Sequence, residues 1–134
     1  MSNILKQIRW QQRYLNLEKS FSNLETTVLK KNLNTIEQAG LIQYFEITFE
    51  LCWKTIKDYL EADGISVNSP RDAIKQAFAA SIITDGEVWL EALEKRNLVS
   101  QIYQEEIANY IATLITTKYY LLFKDLVVFL KNKH

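Results

Sequence analysis

The sequence predicts an all-α protein, an antiparallel up-and-down bundle of three long and two short helices. Its 134 residues include only three glycines and one proline, too little turn chemistry for a sheet-based fold. Hydrophobic residues make up 48% and charged residues 24%, which excludes a disordered or fibrous chain. Apolar residues recur every three or four positions, which is the helical period. The length fits a single domain, which we place at residues 1–134.

Two long helices account for the first half of the chain. A stripe of apolar residues predicts a helix from Ile4 to about Lys31: Trp10, Tyr14, Leu17, Phe21, Leu24 and Val28. After a polar break at residues 32–34, Thr35 is the candidate N-cap of a second helix, and Gly64 follows its end. The stripe of that helix is Ile42, Phe45, Phe49, Cys52, Ile56 and Tyr59. The short break makes the two helices neighbours.

Two short helices and a third long one follow. Ser69, Pro70 and Asp72 supply the N-cap, first-turn proline and first-turn acid of a helix that reaches about residue 80. Thr84 or Asp85 caps the next helix, whose apolar side is Val88, Trp89, Ala92 and Leu93. The last helix runs from residue 101 to about 131 and carries Ile107, Ile111, Leu114, Leu121, Leu122, Leu126 and Phe129. The long helices, each about 42 Å, lie side by side, and the short ones cover one side or end.

Several classes of protein are excluded by what the chain lacks. The start has no signal-peptide apolar run, and Lys124 and Asp125 interrupt the most apolar stretch, so we expect no membrane span and a cytoplasmic location. One cysteine excludes a disulfide framework and a cysteine-based zinc site. The single histidine is the terminal His134, so no internal histidine serves as metal ligand or general base. We expect no metal and no other cofactor.

Charge is unevenly distributed although the net charge is zero. Residues 1–31 carry six basic and two acidic groups, residues 32–114 six and thirteen, and residues 115–134 four and one. The first and last helices, if adjacent, form a basic side that meets phosphates or an acidic partner. The alternative is that the acidic middle of the chain screens these basic ends.

Two patterns on the second helix have both a chemical and a structural interpretation. Glu46 and Glu50 are four residues apart, where two carboxylates could bind a cation or act as acid and base, but Glu50 is also placed to pair with Lys54. The aromatic residues of the helix and Cys52 are interpreted as core, with Trp53 at an edge or a dimer seam. We favour the structural interpretation of both.

The densest polar cluster is Arg96, Asn97, Ser100, Gln101 and Tyr103, at the junction of the last two helices. If Ser100 caps the last helix, a guanidinium, two amides, a phenol and free backbone N–H groups come together, all suited to a phosphate. If the helix is unbroken, Arg96 and Tyr103 still share a face. The alternative is a polar joint that satisfies only its own backbone.

The run Phe45-Glu46-Ile47-Thr48-Phe49-Glu50-Leu51-Cys52-Trp53-Lys54, then Lys57-Asp58-Tyr59-Leu60 and Gly64, resembles the second-helix signature of the nucleotidyltransferase substrate-binding proteins. Later segments follow in the family's order: Ser69-Pro70-Arg71-Asp72, Gly86-Glu87-Val88-Trp89-Leu90, and Arg96-Asn97 with Ser100 and Tyr103. The likeness covers about residues 4–131. It implies a helical bundle of the HEPN group (higher eukaryotes and prokaryotes nucleotide-binding), a homodimer, and pairing with a separate minimal nucleotidyltransferase.

Relatives of the HepT type are ribonuclease toxins of toxin–antitoxin pairs, and the resemblance maps their arginine, histidine and tyrosine onto Arg96, Gln101 and Tyr103. Glutamine has no group that titrates near pH 7, so it cannot accept a proton from a ribose 2′-hydroxyl. We therefore expect a non-enzymatic module that binds a substrate, nucleotide or RNA through Arg96, Asn97, Gln101 and Tyr103. The alternative is a HEPN-type ribonuclease toxin of a toxin–antitoxin pair, which the glutamine at position 101 would inactivate. The resemblance also marks Tyr103 as a candidate site of nucleotidylation by the partner.

Overall fold

A computed structural model of the protein describes residues 3–99 and 104–134. Four helices come first: α1 (Asn3–Val28), α2 (Thr35–Ala62), α3 (Pro70–Ala79) and α4 (Gly86–Leu98). A continuous helical rod ends the chain and consists of α5 (Glu105–Leu114), a π-helical segment (Ile115–Tyr119) and α6 (Tyr120–Lys133). No strand occurs in these two ranges. The all-α prediction is confirmed.

Contacts between α1 and α2 fix their antiparallel arrangement. Arg13, in the first half of α1, pairs with Asp58 near the end of α2, at 2.6 Å. Further along α1, the Ser20 hydroxyl lies 2.8 Å from the Thr48 hydroxyl, and both side chains are buried. Residues later in α1 thus contact residues earlier in α2, so the two helices are antiparallel. The short break after α1 predicts this arrangement.

The rod runs parallel to α2 because α4 carries the chain back along the bundle. Phe45 stacks on Tyr119 with ring centroids 5.5 Å apart, and Tyr59 meets Phe129 edge to face at 6.2 Å. Phe21 of α1 stacks on Tyr120. The bundle has four parts, which follow one another along the chain as α1, α2, α4 and the rod. Each part runs in the direction opposite to the one before it, as an up-and-down bundle requires.

The fourth member of the bundle is α4, which the sequence placed at one side or end together with α3. Trp89 contacts Phe123 with ring centroids 5.5 Å apart, and two residues later the Glu91 carboxylate accepts a hydrogen bond from Tyr119. From Trp89 to Glu91 the residue number on α4 rises, whereas the contact on the rod falls from Phe123 to Tyr119. These two elements are therefore antiparallel. Trp89 is almost fully buried, so α4 closes the core rather than covering it from outside.

Local capping chemistry explains where α2 begins and ends. Asn34, not the expected Thr35, is the N-cap: its side chain accepts from the Glu37 backbone N–H at 2.8 Å, and the Glu37 carboxylate accepts from the Asn34 N–H at 3.0 Å. This reciprocal capping box satisfies two N–H groups at the start of α2. At the other end Gly64 adopts φ +84°, the left-handed conformation expected after a helix.

The two short helices begin as predicted, with different degrees of capping. The Ser69 hydroxyl accepts from the Asp72 backbone N–H at 3.1 Å, next to the first-turn Pro70. Asp85 occupies the N-cap position of α4, but its side chain makes no capping hydrogen bond. The start of α4 thus depends on tertiary packing more than on local chemistry.

An aromatic cluster fills the centre of the bundle. Phe123 contacts three other rings, at centroid distances of 5.8 Å (Phe45), 6.2 Å (Phe49) and 5.5 Å (Trp89). All four are at most 1% exposed. The cluster joins α2, α4 and α6, and its burial is a main source of the hydrophobic stabilisation of the fold.

The apolar stripe of the last helix differs from the predicted one. Ile107 and Leu121, both assigned to it, are 44% and 51% exposed. Ile111, Leu122 and Leu126 are buried as predicted. Ile115 and Tyr119, which the predicted stripe omitted, continue the buried line from Ile111 at spacings of four residues. In an α-helix each spacing of four rotates the line by about 40°, and the wider π turn over 115–119 takes up that rotation. Within the described ranges, none of the helices combines the length and hydropathy that a bilayer span requires.

Candidate functional site

The side chain of Arg96 is held in place in the last turn of α4. Its Nη2 atom lies 3.3 Å from the Glu50 carboxylate oxygen Oε2, and its guanidinium carbon lies 5.6 Å from the centroid of the Phe49 ring. The side chain is 23% exposed, so part of it reaches solvent. Its Nε atom is buried and has no hydrogen-bond acceptor among the described residues. Arg96 therefore keeps donors for a further ligand.

Glu50 is the anchor of this cluster and contacts three different side chains. Trp53 donates its indole N–H to Oε2 at 3.1 Å, and Lys54 lies 3.2 Å from Oε1. Burial alone would raise the pKa of the Glu50 carboxyl, but the hydrogen bonds from Trp53 and Lys54 and the charge of Arg96 outweigh it and hold that pKa below its ordinary value. Glu50 is thus a carboxylate at neutral pH.

The charges of the cluster leave an excess of one positive charge, since one carboxylate faces Lys54 and Arg96. A guanidinium has five N–H donors, and the contact with Glu50 occupies one of its nitrogen atoms. Such a cluster suits an anion with several acceptor oxygens, such as a phosphate group. It offers no general base, because the pKa of Glu50 is lowered rather than raised towards neutrality.

The junction between α4 and α5 differs from both predicted geometries. α4 ends at Leu98, and Gln104 has extended backbone angles of φ −106° and ψ 132° before α5 begins at Glu105. The last helix therefore begins later than predicted, with Gln104 rather than Ser100 in its N-cap position, and it is not a continuation of α4.

The other predicted site residues have different outcomes. Asn97 is exposed in the last turn of α4, next in sequence to Arg96. Ser100, Gln101 and Tyr103 lie outside the described residues, so their part in the site stays a prediction. Sequence reasoning missed the contact between Arg96 and Glu50, because spacing along one helix does not report contacts between helices.

A groove adjoins this junction on the side of α2. It has a volume of about 550 Å³ and is lined by the first turns of α2 and α5 together with Val99. The Gln38 amide donates to the Asn109 side-chain oxygen across it, at 2.8 Å. Polar side chains thus surround the space between the two helix starts.

The structural interpretation holds for the features of α2 described above. Glu50 pairs with Lys54 as predicted. Cys52 is fully buried, and burial raises the pKa of its thiol well above the ordinary value. Trp53 is half-buried at the edge of the core, where it donates to Glu50.

The sequence over residues 12–132 matches the family described as "Nucleotidyltransferase substrate binding protein like". The chain belongs to the nucleotidyltransferase substrate-binding family. A relative from Haemophilus influenzae named "Probable ribonuclease HepT" is 29% identical in an alignment of 108 residues, and the match covers 69% of this chain and 74% of the relative. A solved structure of a protein from Thermus thermophilus is 27% identical, with a TM-score of 0.77 over 83% of this chain and 95% of that one. Membership of this family confirms the resemblance drawn from the residues of α2, α3 and α4.

Proposed function

We propose that this protein is the non-catalytic substrate-binding partner of a separate minimal nucleotidyltransferase, and that Arg96 binds a phosphate group of the substrate. The family to which the chain belongs supports the proposal that its partner is a nucleotidyltransferase. The observation that carries the site is the fixed guanidinium of Arg96, held between Glu50 and the Phe49 ring with donors to spare. A guanidinium fixed in advance loses little conformational freedom when it binds a phosphate, which favours binding.

Asn97, Gln101 and Tyr103 complete the proposed site. Asn97 stands beside Arg96 at the end of α4, and the sequence places the other two within the junction that follows. Amide and phenol groups donate to phosphate oxygens without taking part in acid–base chemistry near pH 7. The ligand class that fits these groups is a nucleotide or an RNA phosphate.

A binding titration with ATP tests the site. Arg96→Ala should weaken ATP binding by about tenfold to a hundredfold, because a charge-assisted hydrogen bond contributes roughly 1.5–3 kcal/mol. Arg71→Ala is the matched control, since it removes an exposed guanidinium from α3 and should leave the affinity unchanged. Equal loss in both variants would show non-specific charge attraction and contradict the site.

Ribonuclease activity is the second candidate function, and the relative named "Probable ribonuclease HepT" is the observation that favours it. Gln101 occupies the position at which HepT-type relatives have their histidine. We therefore expect no RNA cleavage above background by the wild type. Gln101→His tests whether the remaining groups support cleavage. Cleavage by the wild type that disappears in Arg96→Ala would establish the enzyme instead.

We further propose that the protein acts as a homodimer that pairs with the transferase. The exposed apolar residues of the long helices, which include Ile8, Leu15, Leu121 and Val128, support association. Light scattering should give a dimer mass at micromolar concentration, and a monomer would contradict this. Co-expression with the transferase should give a complex that weakens as salt is raised, since the charges of the chain are unevenly distributed.

A further inference from the structure

Trp53 differs from the other two tryptophans of the chain in how its ring is packed. Trp10 and Trp89 are 2% and 1% exposed, and each contacts other aromatic rings. Trp53 packs against the core but is only half-buried. Among the rings of residues 3–99 and 104–134, it has no stacking or edge-to-face partner. The indole therefore presents ring surface that no other ring covers.

The Trp53 ring is held next to the Arg96 guanidinium. Its indole Nε1 atom donates to Glu50 Oε2 at 3.1 Å, and Arg96 Nη2 lies 3.3 Å from the same oxygen atom. Two groups that contact one oxygen atom are neighbours, so the ring lies at the edge of the proposed phosphate site. The hydrogen bond to Glu50 also fixes the ring, which reduces the conformational freedom that binding a ligand would cost.

Lys54 adds a second cation to the same cluster. Its ammonium lies 3.2 Å from Glu50 Oε1, and its side chain is 41% exposed. Arg96 and Lys54 thus approach one carboxylate from its two oxygen atoms. A partly exposed ion pair within one helix is weak, so Lys54 can turn towards an anion that Arg96 binds.

We infer that the substrate contains a nucleotide unit whose base stacks on Trp53 and whose phosphate lies between Arg96 and Lys54. This inference rests on the phosphate site proposed above and assigns the base as well. A nucleotide joins a flat aromatic base to an anionic phosphate, and the indole ring and the two cations bind these two parts. Inorganic phosphate and sugar phosphates supply only the second part.

Tryptophan fluorescence reports stacking on Trp53 directly, because Trp10 and Trp89 are buried. Saturating ATP should quench the emission of the wild type. The same ATP should leave the emission of Trp53→Phe unchanged, since only the two buried tryptophans remain in that variant. Tripolyphosphate, which has phosphates but no base, should displace ATP without quenching and should bind about tenfold more weakly.

Two substitutions separate stacking from the hydrogen bond to Glu50. Trp53→Phe and Trp53→Leu both remove the indole N–H, but only Trp53→Phe keeps an aromatic ring. In a calorimetric titration, Trp53→Leu should therefore bind ATP about tenfold more weakly than Trp53→Phe. The two variants should bind tripolyphosphate equally. Thermal unfolding of each variant checks that the fold is retained.

An exposed ring elsewhere in the chain provides the matched control. The Phe78 ring is 54% exposed in an apolar groove of about 630 Å³ between α3 and α4. It lies against Gly86 at the start of α4, whereas Arg96 is in the last turn of that helix. Phe78→Leu should leave the affinity for ATP unchanged. A loss equal to that of Trp53→Leu would contradict stacking on Trp53.

The outcomes separate this inference from the function on which it rests. Wild-type protein that binds neither ATP nor tripolyphosphate contradicts both. ATP binding that requires Arg96 but is equal in Trp53→Leu and Trp53→Phe contradicts the stacking alone. Lys54→Ala should weaken ATP and tripolyphosphate binding by the same factor, and unchanged affinity for both contradicts the role of Lys54. A single-stranded oligoadenylate distinguishes the sources of the unit: tighter binding than ATP identifies RNA, and weaker binding identifies a free nucleotide.

Discussion

The Arg96 guanidinium at the end of α4 lies 3.3 Å from the Glu50 carboxylate in the middle of α2. This ion pair connects two helices of the bundle and fixes the direction of the guanidinium over the Phe49 ring. Because Glu50 also accepts from Trp53 and contacts Lys54, it keeps its place when Arg96 binds another group. Glu50 is therefore a positioning residue for the proposed phosphate site.

The stabilising effect of Glu50 should depend on pH. Its pKa is lowered from the ordinary value of 4.5, so its contribution is complete above pH 4.5 and is lost as pH falls through the lower folded-state pKa. Glu50→Gln should reduce the free energy of unfolding at pH 7 by about 0.5–1 kcal/mol, since the group is partly exposed. Urea titrations should show this difference narrowing below pH 4.5. Glu46→Gln, one turn earlier, is the control and should change the free energy of unfolding at pH 7 by less than about 0.5 kcal/mol.

The ion pair between Arg13 and Asp58 should contribute more to stability than the exposed pairs do. Asp58 is only 6% exposed, whereas Arg13 is 34% exposed. Arg13→Ala leaves a buried carboxylate without its cation and should destabilise the fold by about 1–3 kcal/mol. The reference is Lys57→Ala, which removes a pair with Glu61 within one helix, where both side chains are half-buried, and it should cost at most about 0.5 kcal/mol. Equal effects in urea titrations would show that burial of Asp58 does not matter.

Phe123 should be among the most sensitive positions of the core. It contacts Phe45, Phe49 and Trp89 and has no exposed surface, so Phe123→Ala should leave a cavity and destabilise the protein by about 3–5 kcal/mol. Leu29→Ala, in the exposed turn after α1, should change stability by less than about 0.5 kcal/mol. Chemical denaturation distinguishes the two variants, and a large effect at Leu29 would contradict its exposed position.

The N-terminal ends of α2 and α4 allow a direct comparison, because of the two only α2 has a side-chain capping hydrogen bond. Asn34→Ala removes the side-chain oxygen that accepts from the Glu37 backbone N–H and should destabilise α2 by about 1 kcal/mol. Asp85→Ala should change stability by only a few tenths of a kcal/mol, because the Asp85 side chain makes no capping hydrogen bond. Thermal unfolding of the two variants under identical conditions measures the difference. A larger effect at Asp85 would mean that its carboxylate caps α4 in solution.

The class of the fold and most helix limits could be predicted from the sequence, because these depend on short-range chemistry. The spacing of Trp10, Tyr14 and Leu17 predicts the buried face of α1 without reference to any other helix. Ser69 and Gly64 likewise act on backbone groups within a few residues of themselves. The sequence also identified Arg96 as a candidate anion-binding residue, since a guanidinium has that capacity in any fold.

The surroundings of Arg96 and the positions of the remaining surfaces could not be predicted in this way. Glu50 and Phe49 reach Arg96 because α4 packs on α2, a contact that no spacing within one helix reports. The π-helical segment could not be predicted either, because it forms where the helix must widen to bury Ile111, Ile115 and Tyr119 on one side. The groove beside Phe78 exists because α3 and α4 approach each other at Gly86. The surroundings of Arg96, the π-helical segment and the groove beside Phe78 all depend on packing between segments that are distant in sequence. The local sequence pattern does not determine that packing.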